Sequence, residues 1–421
     1  MKNTILLLCV VLTGCSMFGI EEQEPSYNAK IAWDSGLFSN SYKSHTVDED
    51  SVYFYERPPG YTTVNIYSLT KLEADTGKLL WRSRVFSNIV LCQPVAIENH
   101  VFVFLEPRFI YAFDKETGEL VATVEIKIEG TEFEFGWNIS SYKEFIYTGL
   151  FRGSCSFVRF NVNNINYNLP PETVQILSPE ILWNPETDRF VTAKPVVHNN
   201  IVYASTYTSV STPVELAGFD TVSGQMVFHK TFGGPEDKQE IIKFPETGGG
   251  INSNPIFIHD NILYYLNASI TAWNLSSGDA VYRHVFTHDM PNSKMHLADG
   301  SLQAVYHNGK IYYSSGTSDT PHGYRNIHCI NAVTGRLVWN DIAKDSESLE
   351  TNPVIAHGKL YISQYSGLRV YNPDNGKLIG VDKSFCGMGM GRNVLYKDYM
   401  ICVRMDRNTG EGRLVAVYVG K

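Results

Sequence analysis

The chain is predicted to be an all-β, eight-bladed β-propeller, and three observations carry the prediction. A hairpin signature recurs along the sequence. An apolar–aromatic pair recurs with it. One outer strand is missing at the C-terminal end of the count and present at the N-terminal end. Composition agrees, since Tyr (25) and Phe (22) outnumber Met (9), and aromatic residues favour strands. Helical periodicity of any length is absent, which excludes a solenoid of helix pairs.

The hairpin is best preserved in INAVTGRLVW, Ile330 to Trp339. Aligned on its glycine, six copies appear: LEADTGKLLW (Gly77), FDKETGELVA (Gly118), FDTVSGQMVF (Gly224), WNLSSGDAVY (Gly278), INAVTGRLVW (Gly335) and YNPDNGKLIG (Gly376). Four residues before each glycine stands an acid or Asn: Glu73, Asp114, Asp220, Asn274, Asn331 and Asn372. Each part has a mechanical reason. Glycine takes the positive φ of a tight turn without a Cβ clash. The Asp or Asn side chain accepts from backbone N–H groups two or three residues on. Apolar residues after the glycine then form the second of two antiparallel strands.

Glycine spacings of 41, 106, 54, 57 and 41 show that one copy lacks its turn, because 106 is twice 53. The missing copy belongs near SPEILWNPE, where Trp183 ends an apolar strand and an Asn- and Pro-rich insertion, Asn161 to Pro171, replaces the hairpin. The second landmark sets the number of units. Val52-Tyr53, Val101-Phe102, Ile146-Tyr147, Val202-Tyr203, Leu263-Tyr264, Ile311-Tyr312 and Leu360-Tyr361 are seven copies, and Met400-Ile401 is a degenerate eighth. Ahead of several stands a proline that opens a strand (Pro94, Pro195, Pro255 and Pro353), a place where the absent N–H costs no ladder bond.

Each unit therefore reads as strand A, turn, strand B, strand C, the Thr-Gly hairpin, then strand D. Four antiparallel strands per unit is a propeller blade. Eight A–B–C sets are followed by only seven D strands. AKIAWDSGL, Ala29 to Leu37, carries the Trp33 expected of a D strand and has no A–B–C before it. It is expected to complete the eighth blade beside the C-terminal strands, leaving no open edge at the junction.

The first residues, MKNTILLLCVVLTGC, read as a targeting segment. Lys2 is the positive n-region, and the eight apolar residues Ile5 to Leu12 are too few to span a bilayer, which takes roughly 20 in a helix. Leu12-Thr13-Gly14-Cys15 matches a bacterial lipobox, so residues 1–14 are expected to be a lipoprotein signal peptide, with Cys15 the lipidated first residue of the mature chain. Ser16 after the cysteine, in place of Asp, favours the outer membrane over inner-membrane retention. Residues 15–28 read as a tether and residues 29–421 as one propeller. Loss of residues 1–14 takes away one lysine and no acid, so the formal charge moves from −9 to −10. Such acidity argues against nucleic-acid binding, which needs clustered Lys and Arg. It also gives no attraction to anionic lipid, so an acyl group would have to hold the protein at a membrane. Cys92, Cys155, Cys329, Cys386 and Cys402 remain, an odd number with no C-x-x-C pair, and buried thiols are expected.

The string D-x-x-T-G-x-x-x-W inside four-stranded units resembles the PQQ-like β-propeller repeat across residues 29–421. Joined to a lipobox, it is similar to the outer-membrane assembly lipoproteins built on that repeat. The resemblance implies a periplasmic scaffold, anchored in the outer membrane by its lipid, that docks on protein partners of the β-barrel assembly machinery. It maps no docking residue onto this chain. Departures are plain: only Trp81 and Trp339 keep the tryptophan after the glycine, the others being Ala122, Phe228, Tyr282 and Gly380.

Chemistry is weakly signalled. A quinone-dependent dehydrogenase needs a Ca²⁺ site of carboxylate and amide oxygens, a catalytic Asp and usually a vicinal Cys-Cys pair, and no Cys-Cys occurs. His284, His288 and His296 with Asp289 fall on a strand end and a loop, where their spacing fixes no ligand geometry. Thr247 to Pro255 and Cys386 to Arg392 are glycine-rich, but no Lys-Ser/Thr and helix follow, so they read as close backbone packing. Met388, Met390 and Arg392 are candidates for a binding face. No elbow, H-E-x-x-H or paired-carboxylate motif appears, so no cofactor and no catalysis are expected. A lipid-anchored binding or immunity module for another ligand, such as a glycan or a delivered toxin, stands as the alternative.

Overall fold

A computed structural model describes residues 25–39, 45–58, 66–87, 92–151, 156–184, 189–191, 194–208, 214–232, 256–266, 269–285, 295–296, 304–317, 324–343, 352–364, 367–385, 393–406 and 411–420. Among them are 36 strands, one 3₁₀ turn at Val162–Asn164 and no α-helix. Thirty-two of the strands form eight antiparallel blades of four, A to D from the inside outwards, and four short strands pair beside them. Blade 1 is Thr46–Asp48, Ser51–Glu56, Ile66–Glu73 and Leu79–Arg82; blade 2 is Val95–Ile97, His100–Leu105, Phe109–Asp114 and Leu120–Ile126. Blade 3 is Glu134–Tyr142, Phe145–Phe151, Phe157–Asn161 and Glu180–Trp183; blade 4 is Val196–His198, Ile201–Thr208, Val214–Asp220 and Met226–Phe232. Blade 5 is Ile256–His259, Ile262–Leu266, Ser269–Asn274 and Ala280–Val285; blade 6 is Val305–His307, Lys310–Thr317, Tyr324–Asn331 and Leu337–Ala343. Blade 7 is Val354–Ala356, Lys359–Gln364, Gly367–Tyr371 and Leu378–Asp382. Blade 8 is Val394–Tyr396, Tyr399–Met405, Gly412–Tyr418 and, from the other end of the chain, Lys30–Ser39.

That last pairing closes the ring as the strand count required. Lys30 faces Tyr418, Trp33 faces Ala416 and Ser39 faces Gly412, antiparallel. Ser39 also pairs with Glu56, so blades 8 and 1 share one continuous sheet.

The apolar–aromatic pairs lie in the B strands, where both faces are covered. Val52, Tyr53, Phe54 and Tyr55 are wholly buried, and so are Val101 to Leu105. Alternation fails there because each B strand packs against the blades before and after it. The core is correspondingly divided into clusters between blades. Tyr312, Ile327 and Cys329 of blade 6 pack on Leu360, Ile362 and Tyr371 of blade 7. Trp33, Ile401, Val403, Leu414 and Ala416 of blade 8 pack on Val52, Phe54, Leu72 and Ala74 of blade 1. Burial of apolar area in such sandwiches is the main favourable term for the ring.

Two additions were not in the sequence expectation. Val174–Leu177, just after the blade 3 insertion, runs parallel to blade 2's D strand as a fifth strand, with Thr123 facing Val174 and Ile126 facing Leu177. Residues 25–28, read from the sequence as the end of a tether, lie parallel on blade 7 instead. Tyr27 N–H donates to Val381 O at 3.0 Å, and Val381 N–H donates to Pro25 O at 2.8 Å. Ala29 N–H then donates to Asp382 Oδ2 at 2.7 Å. The structured ring thus begins four residues before Ala29.

Candidate functional site

The recurring hairpins meet at the joints between blades. Gly77, Gly118, Gly224, Gly278, Gly335 and Gly376 have φ between +69° and +73°. In each hairpin the glycine N–H donates to the carbonyl four residues back, at 2.8 or 2.9 Å. The Asp or Asn side chain braces the turn: Asp114 Oδ1 accepts from Glu116 N–H (3.0 Å) and Thr117 N–H (2.7 Å), and Asn331 Oδ1 from Val333 and Thr334 N–H. At Asp220, bonds from the Ser223 N–H and hydroxyl hold the carboxyl below the usual carboxylate range.

At five of these glycines, Gly77, Gly118, Gly224, Gly278 and Gly376, the covering side chain comes from the blade before. Trp33 of blade 8 lies on Gly77, Trp81 of blade 1 on Gly118, and Trp339 of blade 6 on Gly376. A Cβ on these glycines would stand 2.5 to 2.6 Å from the indole carbons. Each indole N–H also donates into the turn: Trp33 to Ala74 O (3.0 Å), Trp81 to Lys115 O (3.0 Å), Trp339 to Pro373 O (2.9 Å). The glycine therefore serves two needs, a left-handed backbone and room for a ring from the neighbouring blade.

Where tryptophan is replaced, other donors reach the same carbonyl. At the joint of blades 3 and 4, Arg159 donates from Nη1 to Thr221 O at 2.6 Å and from Nη2 to Val222 O at 3.1 Å, with Nε on Glu180 at 2.7 Å. Tyr282 of blade 5 donates its hydroxyl to Ala332 O of blade 6 at 2.7 Å. Lys230 of blade 4 lies over Gly278. Ala122 and Gly380 follow the same logic. Each precedes a blade without the glycine turn: blade 3 has the insertion, and in blade 8 strands C and D come from opposite ends of the chain. A large ring at either position would have no turn to cover. A parallel fifth strand, Val174–Leu177, occupies the first of these outer edges and the bridged segment at Ser26 the second, where a Cβ on Gly380 would meet Ser26 O at 2.8 Å.

At the inner end, the A strands of blades 8, 1, 2 and 3 and Lys194 ahead of blade 4 surround a cavity of about 370 Å³. Its lining includes His45, Thr46, Asp48, Gln93, Ser140, Ser141, Lys194 and Asn393. Asp48 is the one carboxylate among the described lining residues, and it pairs with Lys115 Nζ at 2.6 Å. A quinone with its Ca²⁺ asks for several carboxylate and amide oxygens around a hard cation. One lysine-paired carboxylate does not fit that group, and among the described residues no three His, Cys, Asp or Glu side chains gather.

The remaining sequence candidates are dispersed. His284 is in blade 5's D strand facing Ile270, and His296 pairs with Gly316 beside blade 6. His288, Asp289, Cys15, Cys155, Cys386, Met388, Met390 and Arg392 lie outside the described residues. Cys92, Cys329 and Cys402 are buried thiols, and burial pushes the Cys329 thiol up to about 11. Arg159 and the segment at residues 25–29 were missed from the sequence. For Arg159 the signal was indirect: a turn whose preceding D strand lacks an aromatic at the docking position.

Residues 30–127 match the family model described as outer membrane protein assembly factor BamB. The crystal structure of BamB from Moraxella catarrhalis superposes with a TM-score of 0.60 at 11% identity, over 93% of this chain and 98% of that one. The chain is a PQQ-like β-propeller. The PQQ-like ring resembles BamB, and it shares its fold with cofactor-bearing enzymes as well. Quinohemoprotein alcohol dehydrogenase from Comamonas testosteroni superposes with a TM-score of 0.64 at 11% identity, over 93% of this chain and 77% of that one. A europium-containing methanol dehydrogenase gives 0.62 at 11% identity, over 92% and 88%. No curated protein sequence matches the chain. At such identities the PQQ-like ring is a common frame, and function resides in what each protein adds to it.

Proposed function

We propose that this PQQ-like ring is a non-catalytic scaffold, anchored by lipid in the outer membrane and facing the periplasm, which binds protein partners during the assembly of outer-membrane β-barrel proteins. One observation carries the reading: the ring accounts for 98% of the BamB chain with which it superposes, and its first blades match the BamB model by sequence. The dehydrogenases extend further beyond the shared ring, which covers only 77% of the Comamonas enzyme. Among the described residues, the lining of the inner cavity holds one carboxylate, Asp48, and Lys115 pairs with it. Anchoring rests on Cys15 after the apolar segment, with residues 1–14 removed. Met388, Met390 and Arg392 are the proposed contribution of the strand-linking loops to a binding face.

Affinity capture of the full-length protein from detergent-solubilised envelopes tests the reading. The expected result is co-purification of the barrel-inserting subunit; its repeated absence at near-stoichiometric bait would sink the assembly role. The enzyme reading has a direct test too. Added pyrroloquinoline quinone with Ca²⁺ is expected to show neither binding nor dye-linked alcohol oxidation, and either signal would overturn the non-catalytic assignment.

A further inference from the structure

The segment 25–29, docked on blade 7 by a parallel bridge, determines where an anchored chain leaves the ring. Its backbone is bonded on both sides of Val381, and Asp382 holds the Ala29 N–H. The Tyr27 side chain is half-buried against the blade 7–8 core cluster. Gly380 is what admits it, because any larger residue would press on the Ser26 carbonyl. Nine residues, 16–24, separate this docked segment from Cys15, and nine residues reach at most about 32 Å when fully extended.

We infer that the outer edge of blades 7 and 8 is the membrane-facing edge of the ring, clamped there by residues 25–29, and that blades 3 and 4 project away from the lipid. The inference rests on lipidation at Cys15. A ring tethered at one point of its rim is held close at that point, and its acidity gives the rest no attraction to an anionic surface. Blade 3 stands four places round from blade 7 in a ring of eight, so it is opposite. Its insertion and the strand just after it expose Leu169, Val174 and Ile176. These apolar residues are thus presented towards the periplasm, where a protein partner has access.

Matched reporters test the orientation. Lys377 follows the turn glycine of blade 7, and Asn164 sits where blade 3 would have carried the same turn; both are exposed. Lys377→Cys and Asn164→Cys, each with Cys155→Ser and Cys386→Ser, carry a fluorophore on the acylated protein in vesicles of phosphatidylethanolamine and phosphatidylglycerol containing a headgroup quencher. Quenching at position 377 is expected to exceed that at 164 by at least threefold. Gly380→Ala, whose methyl displaces the segment and lengthens the free tether to Lys30, is expected to bring that ratio below two. In the unlipidated chain beginning at Ser16, the Tyr27 amide is expected to exchange slowly, and at least tenfold faster in Gly380→Ala. Equal quenching at the two sites, or a fast Tyr27 amide in the unaltered chain, overturns the inference while leaving anchoring in place. Failure of the protein to gain an acyl mass or to co-float with vesicles overturns the anchor and the inference together.

Discussion

Gly118 concentrates the physics of a joint in one residue. Its φ of +73° disfavours any residue with a Cβ, and Trp81 fills the space a Cβ would need. Gly118→Ala is expected to cost about 2–4 kcal/mol, from left-handed strain and displacement of the indole. The two parts separate in a double-mutant cycle. In a Trp81→Ala background, urea denaturation should show that the same alanine costs only the backbone part, whereas full additivity would mean that ring and glycine are not in contact. Arg159 makes a complementary case, because it is buried and donates to two turn carbonyls. Arg159→Met should destabilise by about 1–3 kcal/mol, since Thr221 O and Val222 O lose their donors. Arg159→Lys should recover little, because one ammonium replaces a planar fork. Asp220 adds acid sensitivity. Its folded pKa is depressed, so its contribution is complete above the ordinary carboxylate pKa of about 4 and disappears as pH falls through the lower folded value. Asp220→Asn should show a smaller loss of melting temperature between pH 5 and pH 3 than the unaltered protein. The neutral Asn274, Asn331 and Asn372 already brace equivalent turns without a carboxylate.

Among elements, strands and hairpins were legible in the sequence because each leaves a local mark. The glycine with its Asp or Asn four residues earlier fixed the C–D turns, and the apolar–aromatic pairs located the buried B strands. Trp33, without blade strands before it, disclosed the closing strand. The two parallel additions left no such mark. Val174–Leu177 is an ordinary apolar run after a polar insertion, and nothing local says that it pairs in parallel with strand D of the preceding blade. The reason behind Ala122 and Gly380 was also illegible, because it lies in the turn that the following blade lacks. That explanation makes a prediction about pairs of elements. Ala122→Trp alone should destabilise by about 1–3 kcal/mol through overpacking beneath the fifth strand. If residues 162–179 are replaced by the Asp114–Glu119 turn, the same tryptophan should become neutral or stabilising, because it then has a glycine to cover. A cost that is the same in both backgrounds would refute the exchange of turn for strand.

For the whole molecule, a core divided among joints means that no joint opens without loss of its neighbours' packing. Cys92, Cys329 and Cys402 lie in three different clusters and report on this. In a chain from Ser16 with Cys155→Ser and Cys386→Ser, the native protein should give no reaction with a thiol reagent at pH 8, and three thiols should titrate on unfolding. Burial keeps Cys329 and Cys402 in the thiol form at that pH. Early reaction of Cys402 alone would show blade 8 releasing its N-terminal strand before the rest. The candidate site was less legible than the ring at this scale, because the loops proposed for partner binding follow no repeat. The two parallel additions have a final consequence. Each runs into the D strand of the next blade, so the ring has two comparable seams and the natural termini lie at one of them. Joining residue 420 to residue 25 and opening the chain near Asn166 should give a circular permutant of the same architecture. If a lipid anchors the chain as proposed, a permutant lipidated at its new start would hang from the membrane by the seam of blades 2 and 3, rotated by three blades.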